Sequence, residues 1–174
     1  MGRTIVFNFV RFVLLILLQV FLFKNIGYYN LASPFPYILI IFLLPIGLPN
    51  LLLYMLAFLT GFCVDLFYDS LGVHAAACVA LAWYRTFFHN ITLEVDMKDS
   101  YLTPNLGEMG FKWFLSYIFF GTLVHHTILY LLEVFSFYQF QYTLLSIGLS
   151  CIFTLIIILL SGILFFKKKT RYNT

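Results

Sequence analysis

Charge is the scarcest property of this chain. Only 10% of its residues are Asp, Glu, Lys or Arg, against about 25% in a soluble domain. From Asn25 to Val64 no ionisable side chain occurs apart from tyrosine and cysteine. A soluble fold of 174 residues could not hide a composition that is 63% hydrophobic with a mean hydropathy of +0.99. The solvent for most of this surface must be lipid. Cysteine is also sparse: Cys63, Cys78 and Cys151 lie inside apolar runs. Their odd number argues against a disulfide framework, no pair has metal-ligand spacing, and each reads as a small buried apolar residue. Catalytic signatures are missing too. There is no His-Glu-x-x-His, no Gly-x-Ser-x-Gly, no dinucleotide-type glycine pattern and no P-loop, so the chain reads as a non-enzyme with no cofactor and no metal. The net charge of +3 does not point to nucleic acid, because the basic residues are scattered and cluster only at Lys167-Lys168-Lys169-Thr170-Arg171.

Aromatic residues and long apolar runs dominate what is present. Tyr28, Tyr29, Tyr37, Tyr84, Trp113, Tyr138 and Tyr142 sit where apolar runs end, as in interfacial belts. The first apolar run covers about 20 residues, longer than the 7–15 of a signal-peptide core, and reads as a membrane span from about Thr4 to Phe23. A second begins after Ser33-Pro34-Phe35-Pro36 and meets Pro45, Gly47 and Pro49. That leaves about 14 residues, or roughly 21 Å of helix against a hydrocarbon core of about 30 Å, so this span must be short, kinked or shielded by its neighbours. Four more are expected at about Asn50–Phe67, Leu71–Phe88, Phe111–Glu133 and Tyr142–Phe166. The whole chain, residues 1–174, reads as one all-α, polytopic membrane helix bundle of about six spans.

Six spans put both termini on one side. Arg3, Arg11, Arg85, Lys98, Lys112, Lys167, Lys168, Lys169 and Arg171 then face the cytoplasm and only Lys24 lies outside. Were residues 37–66 a single kinked helix, there would be five spans and a weaker charge asymmetry. The one sizeable polar connection is residues 89–110, on the cytoplasmic side. Its Asn90-Ile91-Thr92 triplet is a chance match to a glycosylation site there.

Leucine-rich faces do not drive association in lipid, whereas small residues at four-residue spacing let backbones approach. Ala57 and Gly61 in the third span and Gly72, Ala76 and Ala80 in the fourth have that spacing, which predicts a close-packed hairpin. Ser146, Ser150 and Thr154 form a similar stripe in the last span. Two carboxylates interrupt the hairpin. Asp69 or Ser70 is placed to cap the fourth span. Asp65 lies one turn earlier, at the C-terminal end of a helix, where the dipole disfavours an anion; capping does not explain it, and it reads as functional or partner-facing. His74 is a polar neighbour of that turn. His125 and His126 are about 100° apart on their helix. His126, Tyr130 and Glu133 share a face, suited to interhelical hydrogen bonds. Arg11 either snorkels to the interface or marks a partner-binding face.

In order along the chain, Phe9-Val-Arg-Phe12, Pro36-Tyr-Ile-Leu39, Gly61-x3-Asp65-x3-Asp69-x-Leu71-Gly72-x-His74-Ala75, Gly110-Phe-Lys-Trp-Phe114, His125-His126 and Leu132-Glu-Val-Phe-Ser136 resemble the rod shape-determining membrane protein family MreD. The resemblance implies an S-component-like membrane fold in the bacterial cytoplasmic membrane. It also implies a non-catalytic scaffold role in the elongation complex (elongasome) that directs peptidoglycan synthesis and cell shape. The implied partners are an MreC-like bitopic coiled-coil protein, the MreB filament and the RodA–transpeptidase synthase. The alternative within the same fold class is the substrate-binding S component of an energy-coupling-factor vitamin transporter. Those proteins dock through an Ala-x-x-x-Ala pattern on the first helix, and the first span here contains no alanine.

Overall fold

A computed structural model describes residues 2–26, 32–98, 100–134 and 140–165, with the side chains of 2–5 excepted. Arg3 (side chain), Tyr28, Tyr29, Asp99, Tyr138, Phe166, Lys167, Lys168, Lys169 and Arg171 therefore lie outside the described residues. Among those described, all regular structure is helical. Five helices are long: α1 (Gly2–Phe21), α3 (Asn50–Tyr68), α4 (Val73–Thr92), α7 (Phe111–Val134) and α8 (Phe140–Phe165). Three are single short turns: α2 (Leu39–Phe42), α5 (Val95–Lys98) and α6 (Leu106–Met109). Four stretches are long and apolar enough to cross a membrane: Val6–Asn25, Asn50–Tyr68, Phe111–Val134 and Phe140–Phe165.

The bundle has an apolar exterior around an interior that is apolar with a minority of polar groups. Phe7, Leu14, Met55, Phe62, Phe120, Ile152 and Ile163 are exposed. Gln19, Thr60, Asp65, His74, Arg85, His125, His126, Ser150 and Thr154 are buried. Polar groups cost several kcal/mol each when bared to hydrocarbon, so they turn inward and pair. Neighbour follows neighbour in the order α1, α3, α4, α7, α8, and the segment around α2 packs inside against α1, α3, α4 and α8.

That inner segment is where the expected second span departs most from a helix. Pro36–Ile38 forms a 3-10 turn that runs into α2, and no other residue between Ala32 and Pro49 is helical. Two prolines before it and two after it lack the N–H that helix continuation needs. Residues 34–46 are buried throughout. Irregular backbone survives at membrane depth only where protein satisfies its polar groups, and here side chains do so one by one. Ser33 N–H donates to Ser150 Oγ and Phe35 N–H to Thr154 Oγ1, both at 3.0 Å. Gln19 Nε2 donates to the Pro34 carbonyl (3.2 Å) and to Tyr68 Oη (2.7 Å). Tyr117 Oη reaches the Phe42 carbonyl at 3.2 Å, and Arg11 Nη2 the Leu43 carbonyl at 2.8 Å. Arg85 Nη2 holds the Leu44 and Pro45 carbonyls at 2.7 and 2.8 Å. Ile46 and Gly47 N–H then donate to the Leu102 and Ser100 carbonyls. Arg11, read from sequence as snorkelling or partner-facing, thus turns a guanidinium nitrogen inward to backbone. It also bonds Asn8. Tyr37, expected at the interface, is fully buried.

The α3–α4 hairpin is close-packed, at one point above all. A Cβ on Gly61 would strike the His74 carbonyl and lie 2.5 Å from Ala75 Cα and 2.6 Å from Ala75 N. Ala57 is buried as well. The α4 side of this contact differs from the expected register. Gly72 has nothing within 4 Å of a built Cβ and is needed for its backbone, φ +81°, just before the helix. Ala76 is exposed and Ala80 half-buried, while Ala75, Ala77, Cys78, Leu81 and Ala82 face the core. The face of Gly72, Ala76 and Ala80 instead lines an open apolar groove with Phe58, Phe62 and Trp83.

Candidate functional site

The two carboxylates of the hairpin exchange the roles expected from sequence. Asp65 is 3% exposed. Its Oδ1 accepts from Ser70 Oγ (2.5 Å) and from His74 N–H (3.0 Å), and its Oδ2 accepts from Ala75 N–H (3.0 Å). Those two amides are in the first turn of α4, so Asp65 reaches across from α3 to satisfy the start of the next helix. The unfavourable dipole of its own helix is offset by the favourable N-terminus of α4. Asp69 caps nothing at that end. It is exposed, ends α3 in the left-handed region at φ 54°, and its N–H returns to the Asp65 carbonyl. Sequence order could not reveal this, because the cap comes from nine residues upstream through a turn whose path depends on the close approach at Gly61.

His74 stands where that cap meets the interior. Its backbone is held by Asp65 while its ring packs against Phe35 and Tyr68, with centroids 5.4 and 4.9 Å away. Tyr37 Oη lies 3.0 Å from His74 Nδ1 and 2.9 Å from His125 Nε2. Cys78 Sγ contacts the same hydroxyl at 3.7 Å. His125 Nδ1 is 3.4 Å from His126 Nδ1, which is 2.9 Å from the Thr122 carbonyl; His126 Nε2 is 3.1 Å from Thr154 Oγ1. Tyr130 Oη and Ser150 Oγ, 2.7 Å apart, continue the polar seam between α7 and α8.

With neutral rings, the donors can be ordered. A carbonyl only accepts, so His126 carries its proton on Nδ1, facing Thr122. Its Nε2 then accepts from the Thr154 hydroxyl, whose oxygen in turn accepts the Phe35 N–H. Because His126 Nδ1 already carries the proton it gives to Thr122, a proton on His125 Nδ1 would face another donor 3.4 Å away; His125 is therefore protonated at Nε2 and donates to Tyr37 Oη. The tyrosine proton then goes to His74 Nδ1, which leaves His74 protonated at Nε2. Two runs result, one from Thr154 through His126 to the Thr122 carbonyl and one from His125 through Tyr37 to His74. Tyr37, Cys78, His125 and His126 are closed off from the surface. Buried hydrogen-bond networks of this kind favour one packing of the helices that carry them.

Of the residues singled out from sequence, this centre unites Asp65, His74 and His126. Arg11 serves the opposite end of the inner segment, and Asp69 and Glu133 are exposed outside it. Two members were missed. The 100° between His125 and His126 does not by itself place His125 in the interior, but α7 is buried over enough of its circumference to enclose both histidines. Tyr37, at the end of an apolar run, is expected at the interface and lies in the interior instead. Its place directly after Pro36 was the available signal for a residue anchored in irregular backbone. The stripe of Ser150 and Thr154 serves as hydrogen-bond acceptors for backbone rather than only as a smooth packing face. No group of three His, Cys, Asp or Glu side chains positioned to hold a metal occurs among the described residues. Comparisons with known protein families, with curated proteins and with solved structures returned no match.

Proposed function

We propose that this chain is a multi-pass membrane scaffold of the MreD type, acting without turnover in the complex that directs lateral cell-wall elongation. The observation that carries this reading is convergence. The sequence features behind the resemblance extend from Phe9 to Ser136, and those between Pro36 and His126 supply the residues of one centre. Tyr37, Asp65, His74, His125 and His126 from those features meet in one buried centre, with Gly61 at the helix contact beside it. A set of residues that builds a fold together is what a family motif spread along a chain should encode. The polar side chains of that centre are engaged with one another and with backbone, so action on partners falls to the apolar outer faces and to the connection at residues 89–110.

In this reading the five long helices and the irregular segment at 33–47 make six passes of an S-component-like bundle in the bacterial cytoplasmic membrane. Gln19 joins Pro34 to Tyr68 at the C-terminal end of α3, and Gly47 leads directly to the start of α3. The inner segment therefore runs the length of that helix. Arg85 and Lys98 belong to the cytoplasmic end. The partners are an MreC-like bitopic coiled-coil protein, the MreB filament and the RodA–transpeptidase synthase.

The test is depletion in the native rod-shaped host. Cells should round and widen before growth stops, with the synthase still in the membrane but not directed laterally, and membrane co-purification should recover a bitopic coiled-coil protein. Cells that keep their shape but come to require a vitamin, or recovery of a nucleotide-binding ATPase pair, would replace the scaffold with the transporter subunit.

A further inference from the structure

The end of the bundle remote from His74, His125 and His126 holds a second polar feature. A cleft of about 320 Å³ opens beside the start of α3, the last turns of α4 and α5. Asn50, Arg85, Thr86, His89, Asn90 and Lys98 line it, and none of its described lining residues carries a carboxylate. Arg85 is 2% exposed and His89 6%. Arg85 gives Nη2 to two carbonyls, but its Nε has no hydrogen-bond partner, and neither does His89 Nε2. Lys98 Nζ, at the rim, donates to the Asn90 carbonyl. A guanidinium withdrawn from water with two backbone carbonyls and the Tyr117 side chain for company, but no carboxylate among the described residues lining the cleft, is an incomplete arrangement, since buried charge is ordinarily matched by opposite charge.

The backbone adds to the same imbalance. α3 begins after Pro49 with no side-chain cap and no acidic residue in its first turn. The amides of that turn have no intrahelical acceptor, and the positive end of the helix dipole faces the cleft at Asn50. Three cationic or donor side chains and an open helix start thus border one space large enough to admit a phosphate group. Arginine suits such a ligand because its planar donors match two oxygens at once.

We propose that this cleft binds a phosphate group, presented either by an anionic lipid headgroup or by a soluble phosphate compound. One oxygen faces Arg85 and His89, and another faces Lys98 and the first turn of α3. The bound group supplies the negative charge that the buried arginine lacks and ties α3, α4 and α5 together at this end.

The experiment uses the full chain purified in a neutral detergent. Thermal denaturation and native mass spectrometry are followed during titration with short-chain phosphatidylglycerol, with short-chain phosphatidylcholine, with inorganic phosphate, and with chloride at matched ionic strength. The expected result is saturable stabilisation by a phosphate ligand and none by chloride. Lys98→Gln, at the rim and outside the core, should weaken that apparent affinity about tenfold or more. His89→Gln should do the same, and Lys112→Gln, which lies outside the cleft, should leave it unchanged. Response to phosphatidylglycerol but not to inorganic phosphate identifies the lipid as the source, and the reverse identifies a soluble compound. No saturable response to any phosphate ligand overturns the proposal. So does equal weakening by Lys98→Gln and Lys112→Gln, because that is general charge attraction rather than a site.

Discussion

Replacing Asp65 by Asn tests the central structural claim with the smallest change of shape. The amide keeps one carbonyl oxygen but puts an NH2 in place of the other. Three donors, Ser70 Oγ–H, His74 N–H and Ala75 N–H, converge on the carboxylate, so at least one of them then faces another donor. An orphaned buried donor costs about 1–3 kcal/mol, and losing an anion at a partly buried helix start costs up to about 2 kcal/mol. The expected loss is about 1–5 kcal/mol. At about 2–4 °C per kcal/mol for a chain of this size, the unfolding midpoint in detergent should fall by roughly 2–20 °C. Asp69→Asn is the matched control. Asp69 is exposed at φ 54°, a conformation Asn accepts readily, so its midpoint should stay within about 0.5 kcal/mol of the parent. Binding of partners by Asp65→Asn should fall only in proportion to the folded fraction. If Asp65→Asn unfolds at the parental temperature while partner capture is lost, the carboxylate is a contact surface and the cap assignment is wrong. Equal damage from both variants would also refute the division of roles.

Gly61→Ala places a methyl against the backbone of Ala75 and should lower the yield of monodisperse protein, whereas Gly148→Ala, with nothing within 4 Å, should be neutral or slightly stabilising; a silent Gly61→Ala would remove the close-approach argument. Tyr37→Phe takes from His74 and His125 their shared partner and should cost about 2–4 kcal/mol from two unsatisfied buried groups, read as a lower midpoint; an unchanged midpoint would mean the hydroxyl does not hold the centre. Nitrogen-15 spectra of labelled histidine should find His126 protonated at Nδ1 and His74 and His125 at Nε2, and the opposite assignment at His126 would break the donor order. Cysteines placed at Asp96 and Asp69, both exposed, should label from the cytoplasmic and external sides respectively; labelling of both from one side would overturn the proposed topology.

The amino-acid sequence by itself determined the helical, apolar character of the chain, with four stretches long and apolar enough to cross a membrane. So few charges in so apolar a chain admit no aqueous core, and the positions of the long helices follow from run length: α1, α3, α4, α7 and α8 lie close to where apolar stretches and proline breaks put them. It also marked Gly61, because a residue without a side chain in an apolar helix signals close approach. Only the tertiary structure decided what the polar residues do. The helix start that Asp65 caps, the backbone that Arg11 and Arg85 hold and the ring partners of Tyr37 are all distant in sequence. The reason is physical. In lipid each buried polar group must find a partner inside the protein, and which partner is within 3 Å depends on how the helices cross, a property of the assembled bundle that local periodicity does not carry.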